Sequence, residues 1–193
     1  MQRRAVFGLF LLPLARGQGT CAPTPAPPQG PHSLPDVPQR EDLREGLPGV
    51  PLRLLLRVRD RACRPLQGAR VDLWHTDALG RYSGVNAPGT FCRGWQATDE
   101  RGEVAFLTLF PGWYPSRTPH LHLRVEAGGR VFATQLFFPE EVQRQVYALP
   151  PYRERGMPRV NNRQDGLFRA DLLLRLEREG EAYRGAFVLT LPG

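Results

Sequence analysis

The chain has 193 residues, ordinary hydrophobic and charged fractions of 41% and 23%, and a formal net charge of +7. That length holds one domain with a core of its own and is short for two. The basic residues are scattered through the chain instead of forming a patch with aromatic readers, which argues against nucleic-acid binding and leaves attraction of small anions open.

Residues 1–18 open with Arg3 and Arg4, continue through the apolar run AVFGLFLLPLA and end in small and polar residues, the pattern of an export signal. The run is too short to cross a bilayer, so no stable membrane anchor is expected. Paired arginines admit a twin-arginine address as well as an ordinary secretory one, and the expected location is periplasmic or secreted. Gln18-Gly19-Thr20 before Cys21 is a poor lipoprotein cleavage site. With Cys21, Cys63 and Cys92, an oxidising compartment permits at most one intramolecular disulfide, and the spacing leaves its pairing open.

Residues 19–50 are dense in proline (APTPAPPQGPHSLPDVPQ) and lack hydrophobic periodicity, which predicts an extended arm. Within it, His32 is expected to face solvent. From residue 51 the pattern becomes that of a β domain running to residue 193. LRLLLRVRD, ARVDLWHTD and GEVAFLTLF read as strands; HLHLRVEA and RVFATQLFF form a hairpin through Gly128-Gly129. DLLLRLERE and YRGAFVLTL close the chain; the first also has helical composition, but its β-patterned neighbours favour a strand. Seven or so short strands broken by Gly and Pro predict an all-β fold, an antiparallel β-sandwich.

His120 and His122 lie six and eight residues after Tyr114, and Tyr82 ends the earlier stretch VDLWHTDALGRY. On a strand the two imidazoles share one face, about 7 Å apart at Cα, close enough to converge on one metal. Two nearby phenols would complete a mixed N and O set with hard anionic donors, suited to ferric iron. Taken singly, His-x-His also fits a polar strand end, and each tyrosine fits a packing residue bonded through its hydroxyl. His75 reads as structural or pocket-adjacent, Asp77 and Asp99 as caps of glycine turns, and Trp74, Trp95 and Trp113 as core or pocket wall. The role of Cys92 stays open.

The stretches VDLWHTDALGRYSG, RGWQATDERGEVAFLTLFPGWYPSRTPHLHLRV and TQLFF resemble those of intradiol ring-cleavage dioxygenases, the catechol, protocatechuate and hydroxyquinol enzymes. The likeness covers roughly residues 50–170 and runs to the smaller secreted or periplasmic bacterial members. It implies an Fe(3+) cofactor with Tyr82, Tyr114, His120 and His122 as ligands. In that scheme Tyr82 stays bound and Tyr114 leaves when substrate chelates, taking a proton. Arg117 is implied beside the substrate and Gln135 in the pocket wall. The implied partners are a small aromatic diol and O2, cleaved between the hydroxyl-bearing carbons to a muconate-type diacid; a homo-oligomer is left open. Two other readings compete. Transthyretin-like or carboxypeptidase-regulatory-like binding sandwiches share strand pairs such as GARVDLW, but have no reason to order two tyrosines, an arginine and His-x-His. A zinc hydrolase would need a carboxylate base beside the histidine pair.

Overall fold

The computed structural model describes residues 20–193, so the export-signal reading of residues 1–18 lies outside the described residues. Alternation makes the strands. In β1 (Pro51–Arg59), Leu52, Leu54, Leu56 and Val58 are buried while Arg53, Leu55 and Arg57 face solvent. β2 (Arg70–Trp74), β3 (Arg93–Ala97), β4 (Glu103–Leu109), β5 (His120–Ala127), β6 (Arg130–Phe137), β7 (Arg175–Glu179) and β8 (Ala182–Thr190) follow. One sheet has the order β4-β1-β8-β7 and the other β3-β2-β5-β6. Leu54, Leu56 and Phe106 from the first belong to the same buried cluster as Val71, Leu73, Leu121, Leu123 and Val125 from the second. The chain is thus mostly β, in two packed sheets.

The β5–β6 hairpin forms as expected, pairing His120 with Phe137 through to Ala127 with Arg130. Its turn uses Gly128 and Gly129, both at positive φ (56° and 73°), as a two-residue hairpin loop requires. Three features depart from the sequence expectation. β1 and β8 pair parallel, from Leu52 with Tyr183 to Arg59 with Thr190, so the first sheet is mixed and not wholly antiparallel. β3 is an additional strand, with only Arg93 and Gly94 buried and no apolar alternation to announce it. An α-helix, α1 (Glu140–Tyr147), follows Pro139, with acidic residues in its first turn and Gln143, Val146 and Tyr147 buried. The segment DLLLRLERE divides into a short 3-10 turn at Ala170–Leu172 and β7.

Residues 20–50 lie against both sheets. Cys21 is disulfide-bonded to Cys63. Thr24 bonds through its N–H to the Thr190 carbonyl and through its hydroxyl to the Thr190 N–H. Further on, Gln39 bridges to Trp95 and Asp42 to Leu107, which covers the edge strands β3 and β4, while Leu43 is fully buried. Cys92 is a buried free thiol.

Candidate active site

Because Leu121, Leu123 and Val125 turn inward, period two turns His120 and His122 to the outer face of their sheet. The strands on either side supply that face's neighbours: register places Trp74 of β2 and Gln135 of β6 opposite His122. Trp74 stacks on the His122 ring, 5.0 Å between centroids and 6° between planes.

The two tyrosines arrive on loops that are stitched together. After β2, the Asp77 carboxylate accepts from the Leu79 and Arg81 N–H groups and pairs with the Arg81 guanidinium, fixing the turn that ends at Tyr82. Gly80 sits there at φ 76°, where a side chain would run into the Trp113 carbonyl. After β4, the Gly112 N–H donates to the Asp77 carbonyl, and its own carbonyl accepts from the Thr76 hydroxyl. One Arg155 nitrogen donates to the carbonyls of Leu79 (2.5 Å) and Trp113 (2.6 Å), buckling the Tyr82 loop to the Tyr114 loop.

Four donor atoms converge as a result. Tyr82 Oη is 3.1 Å from His122 Nε2, Tyr114 Oη is 3.2 Å from His120 Nε2, and the two Nε2 atoms are 3.0 Å apart. The tautomers follow from what surrounds the rings. His120 Nδ1 lies 2.7 Å from the Thr118 carbonyl and His122 Nδ1 lies 3.1 Å from the Gln29 carbonyl. A carbonyl only accepts, so both Nδ1 atoms carry the proton and both Nε2 atoms present a lone pair to the centre. Each phenol can donate to one of these nitrogens, yet nothing on the rings can lie between the two facing lone pairs. A cation that displaces the phenol protons resolves this, with two imidazole nitrogens and two phenolate oxygens as donors. The donor chemistry therefore fits a hard, highly charged metal ion. Among the described residues no group of three or more His, Cys, Asp and Glu side chains is poised for a metal; this set is half phenol.

Burial keeps all four groups neutral without such an ion. It holds His120 down to about 3 and His122 well below the usual imidazole range, with the Arg117 charge adding to the effect. It raises both phenols above the usual range of tyrosine. Only Tyr114 of the four is half-buried; the others are inaccessible.

Arg117 and Gln135 come together at the edge of this set. Arg117 Nη2 donates to Gln135 Oε1 at 2.7 Å, and Gln135 Nε2 donates to the Pro28 carbonyl at 3.0 Å. Sequence reading missed the residue that orients Arg117. Asp165, whose side chain is fully buried, accepts from Arg117 Nε at 2.8 Å and from the Thr118 N–H at 3.0 Å. It thereby holds both the guanidinium and the backbone that fixes the His120 tautomer. Its 48-residue separation from Arg117 leaves no local signal, and only the fold could reveal it.

His32 corrects another expectation. It is half-buried, not solvent-facing, and its ring lies 4.7 Å from that of Tyr82, because residues 24–34 fold back over the outer face. Gly30, at φ 78°, is so close to His122 that a Cβ there would come within 2.7 Å of the ring. His75 is structural: it is buried, bonded to the Thr76 carbonyl and the Thr108 hydroxyl, and held down to about 4 by desolvation. Asp99 caps its turn as read, and Trp74 and Trp113 are buried, whereas Trp95 is half-buried under Arg70. Cys92 packs with Phe91 and Leu109.

Comparison with known proteins settles the ancestry. Residues 29–147, most of the chain and all of the convergent donors, match the family model Dioxygenase_C, described as dioxygenase. The chain belongs to the intradiol ring-cleavage dioxygenase family. It is 29% identical over 133 residues to a chlorocatechol 1,2-dioxygenase of Rhodococcus opacus, covering 57% of this chain and 52% of that protein. The chain thus spans about half the length of the curated relatives it matches. Two smaller solved structures agree over nearly their whole length. An intradiol ring-cleavage dioxygenase from Tetranychus urticae superposes with a TM-score of 0.84 at 31% identity, covering 89% of this chain and 95% of that one. The dioxygenase domain of a carbohydrate-binding fusion protein from Streptomyces sp. SirexAA-E gives 0.73 at 37% identity, covering 89% and 99%.

Proposed function

We propose that the protein is a non-haem iron(III) enzyme that opens a catecholic ring between its two hydroxyl-bearing carbons with O2, giving a muconate-type diacid. The observation that carries this reading is the convergence of two unprotonated imidazole nitrogens, 3.0 Å apart, each with a phenol oxygen 3.1–3.2 Å away. Tyr82, Tyr114, His120 and His122 would hold ferric iron, which would supply the Lewis acidity that acidifies a catechol's hydroxyls and makes the ring reactive toward O2.

The side chains divide the remaining work. Tyr114, the half-buried phenol, is the one an incoming diol reaches, and its oxygen would take one of the diol's protons. Tyr82, boxed in by His32 and His122, stays. Arg117, aligned by Asp165 and Gln135, is a fixed cation beside the opening and offsets charge that builds on the ring. Trp74 and the backbone of Gly30 exclude water from His122.

We infer export as well, supported by the pattern of residues 1–18 and by the Cys21–Cys63 disulfide, a bond that persists in oxidising compartments. Oxygen uptake by the iron-loaded chain against catechol, protocatechuate, hydroxyquinol and larger lignin-like catechols tests the activity. The loaded protein should be red to burgundy, and Tyr114→Phe should keep the iron while slowing turnover. Protein that stays colourless and takes up no ring substrate under iron supplementation would sink the reading.

A further inference from the structure

Arg93, on β3, carries a charge into the interior: the residue is 2% exposed. Its guanidinium donates to the His32 carbonyl at 2.7 Å, to the Ser83 carbonyl at 3.1 Å and, at 3.5 Å, to the Ser83 hydroxyl. All three acceptors are neutral, and among the described residues no carboxylate joins them. A buried guanidinium without a carboxylate is costly to keep, so the fold gains something that a neutral side chain would not supply there.

The two residues that supply these acceptors belong to segments that shape the donor set. Ser83 follows Tyr82, and its hydroxyl donates to the Phe91 carbonyl at 2.6 Å, tying that loop to the approach of β3. His32 is two residues beyond Gly30 and three beyond Gln29, whose carbonyl sets the His122 tautomer. The His32 ring also packs, tilted, against the Tyr82 ring. We propose that Arg93 is a positioning residue for the donor set, clamping the backbone at Ser83 and at His32 so that the Tyr82 phenol and the Gln29 carbonyl engage His122 together. Its charge in addition favours the negative charge that Tyr82 would carry as a metal ligand. The inference rests on the iron reading above. It goes beyond that reading by assigning part of the site's order to a residue that touches neither metal nor substrate.

The test uses the full chain as wild type, Arg93→Gln and Arg93→Lys. Three quantities are read: ferric affinity by competition with a chelator, the position of the visible tyrosinate-to-iron band, and thermal unfolding of the iron-free protein. Arg93→Gln should bind iron at least about tenfold more weakly, with the band moved to longer wavelength as Tyr82 loses a facing cation. Arg93→Lys should recover the band in part, because a point charge replaces the charge but cannot span both carbonyls. Folded Arg93→Gln with wild-type affinity and band would overturn the proposal. If Arg93→Gln fails to fold, Arg93→Lys decides: lower thermal stability with unchanged affinity and band would make the residue merely structural. Wild-type chain that takes up no iron would instead sink the metal reading, and this one with it.

Discussion

Along β5, Leu121, Leu123 and Val125 turn to one side and His120 and His122 to the other, and all five are inaccessible to solvent. The inner side is closed by apolar packing against the first sheet, where volume matters more than atom type. The outer side is closed by residues 24–34, an extended segment whose carbonyls reach the site: Pro28 to Gln135, Gln29 to His122, Pro31 to Trp74 and His32 to Arg93. Packing of the first kind stabilises. The second kind is poorer in apolar contact but orders lone pairs and protons, and that order is what a metal site requires. One sheet thus separates stability from chemistry by the two-residue repeat alone.

The widest test of that separation pairs one residue from each face. His120→Ala should abolish iron uptake, a loss of 100-fold or more in affinity on the order expected for removing a direct ligand. Leu123→Ala should cost about 2–5 kcal/mol of folding free energy yet bind iron normally in the molecules that remain folded. Metal content and thermal unfolding of both variants decide the matter, and iron-loaded His120→Ala would break the comparison.

The next effect lies where the outer segment is anchored. Reduction of Cys21–Cys63, or Cys63→Ser, should cost about 2–4 kcal/mol, since the bond joins residues 42 apart in sequence. Unfolding followed with and without reductant measures it; an unchanged midpoint would mean that the segment holds without its staple.

Acid should then discriminate between the faces. His120 titrates at about 3 and His75 at about 4 in the folded state, against 6.5 for a free imidazole. The unfolded chain binds those protons first, so iron-free stability is fully present above about pH 6.5 and falls from there to about pH 4 for His75 and about pH 3 for His120. The slope is about 1.4 kcal/mol per pH unit for each histidine still neutral. Leu123→Ala should keep this slope, and His120→Ala should flatten it by one proton; equal slopes in unfolding titrations would count against the burial of His120.

The smallest expected change is Gly30→Ala. A left-handed backbone and a ring within 2.7 Å should together cost about 1–2 kcal/mol and weaken iron binding near tenfold, read by the same competition assay.

Local pattern carried much of this protein. Alternation revealed β1, β2, β4 and β8, and the Gly128-Gly129 turn revealed the β5–β6 hairpin. β3 escaped because its burial comes from Arg93 and Gly94, residues with no apolar signature. α1 escaped because eight residues after a proline are too short for a clear helical period. The parallel pairing of β1 with β8 joins the two ends of the domain, and no local rule addresses strands that far apart. His32 was misread for a related reason: a proline-rich stretch says that the chain is extended, not what it lies against.

By itself the sequence determined which groups the candidate site draws on. Phenols, imidazoles and their two-residue spacing are properties of the chain, and a strand puts His120 and His122 on one side whatever surrounds it. Only the tertiary structure decided that those nitrogens are bare, dry and within 3.0 Å of each other. Their state depends on partners brought from afar: the Gln29 carbonyl lies 93 residues before His122, and the Asp165 carboxylate lies 47 residues after Thr118. A proton's position on a buried ring is set by the acceptor it meets, and that acceptor is chosen by the fold.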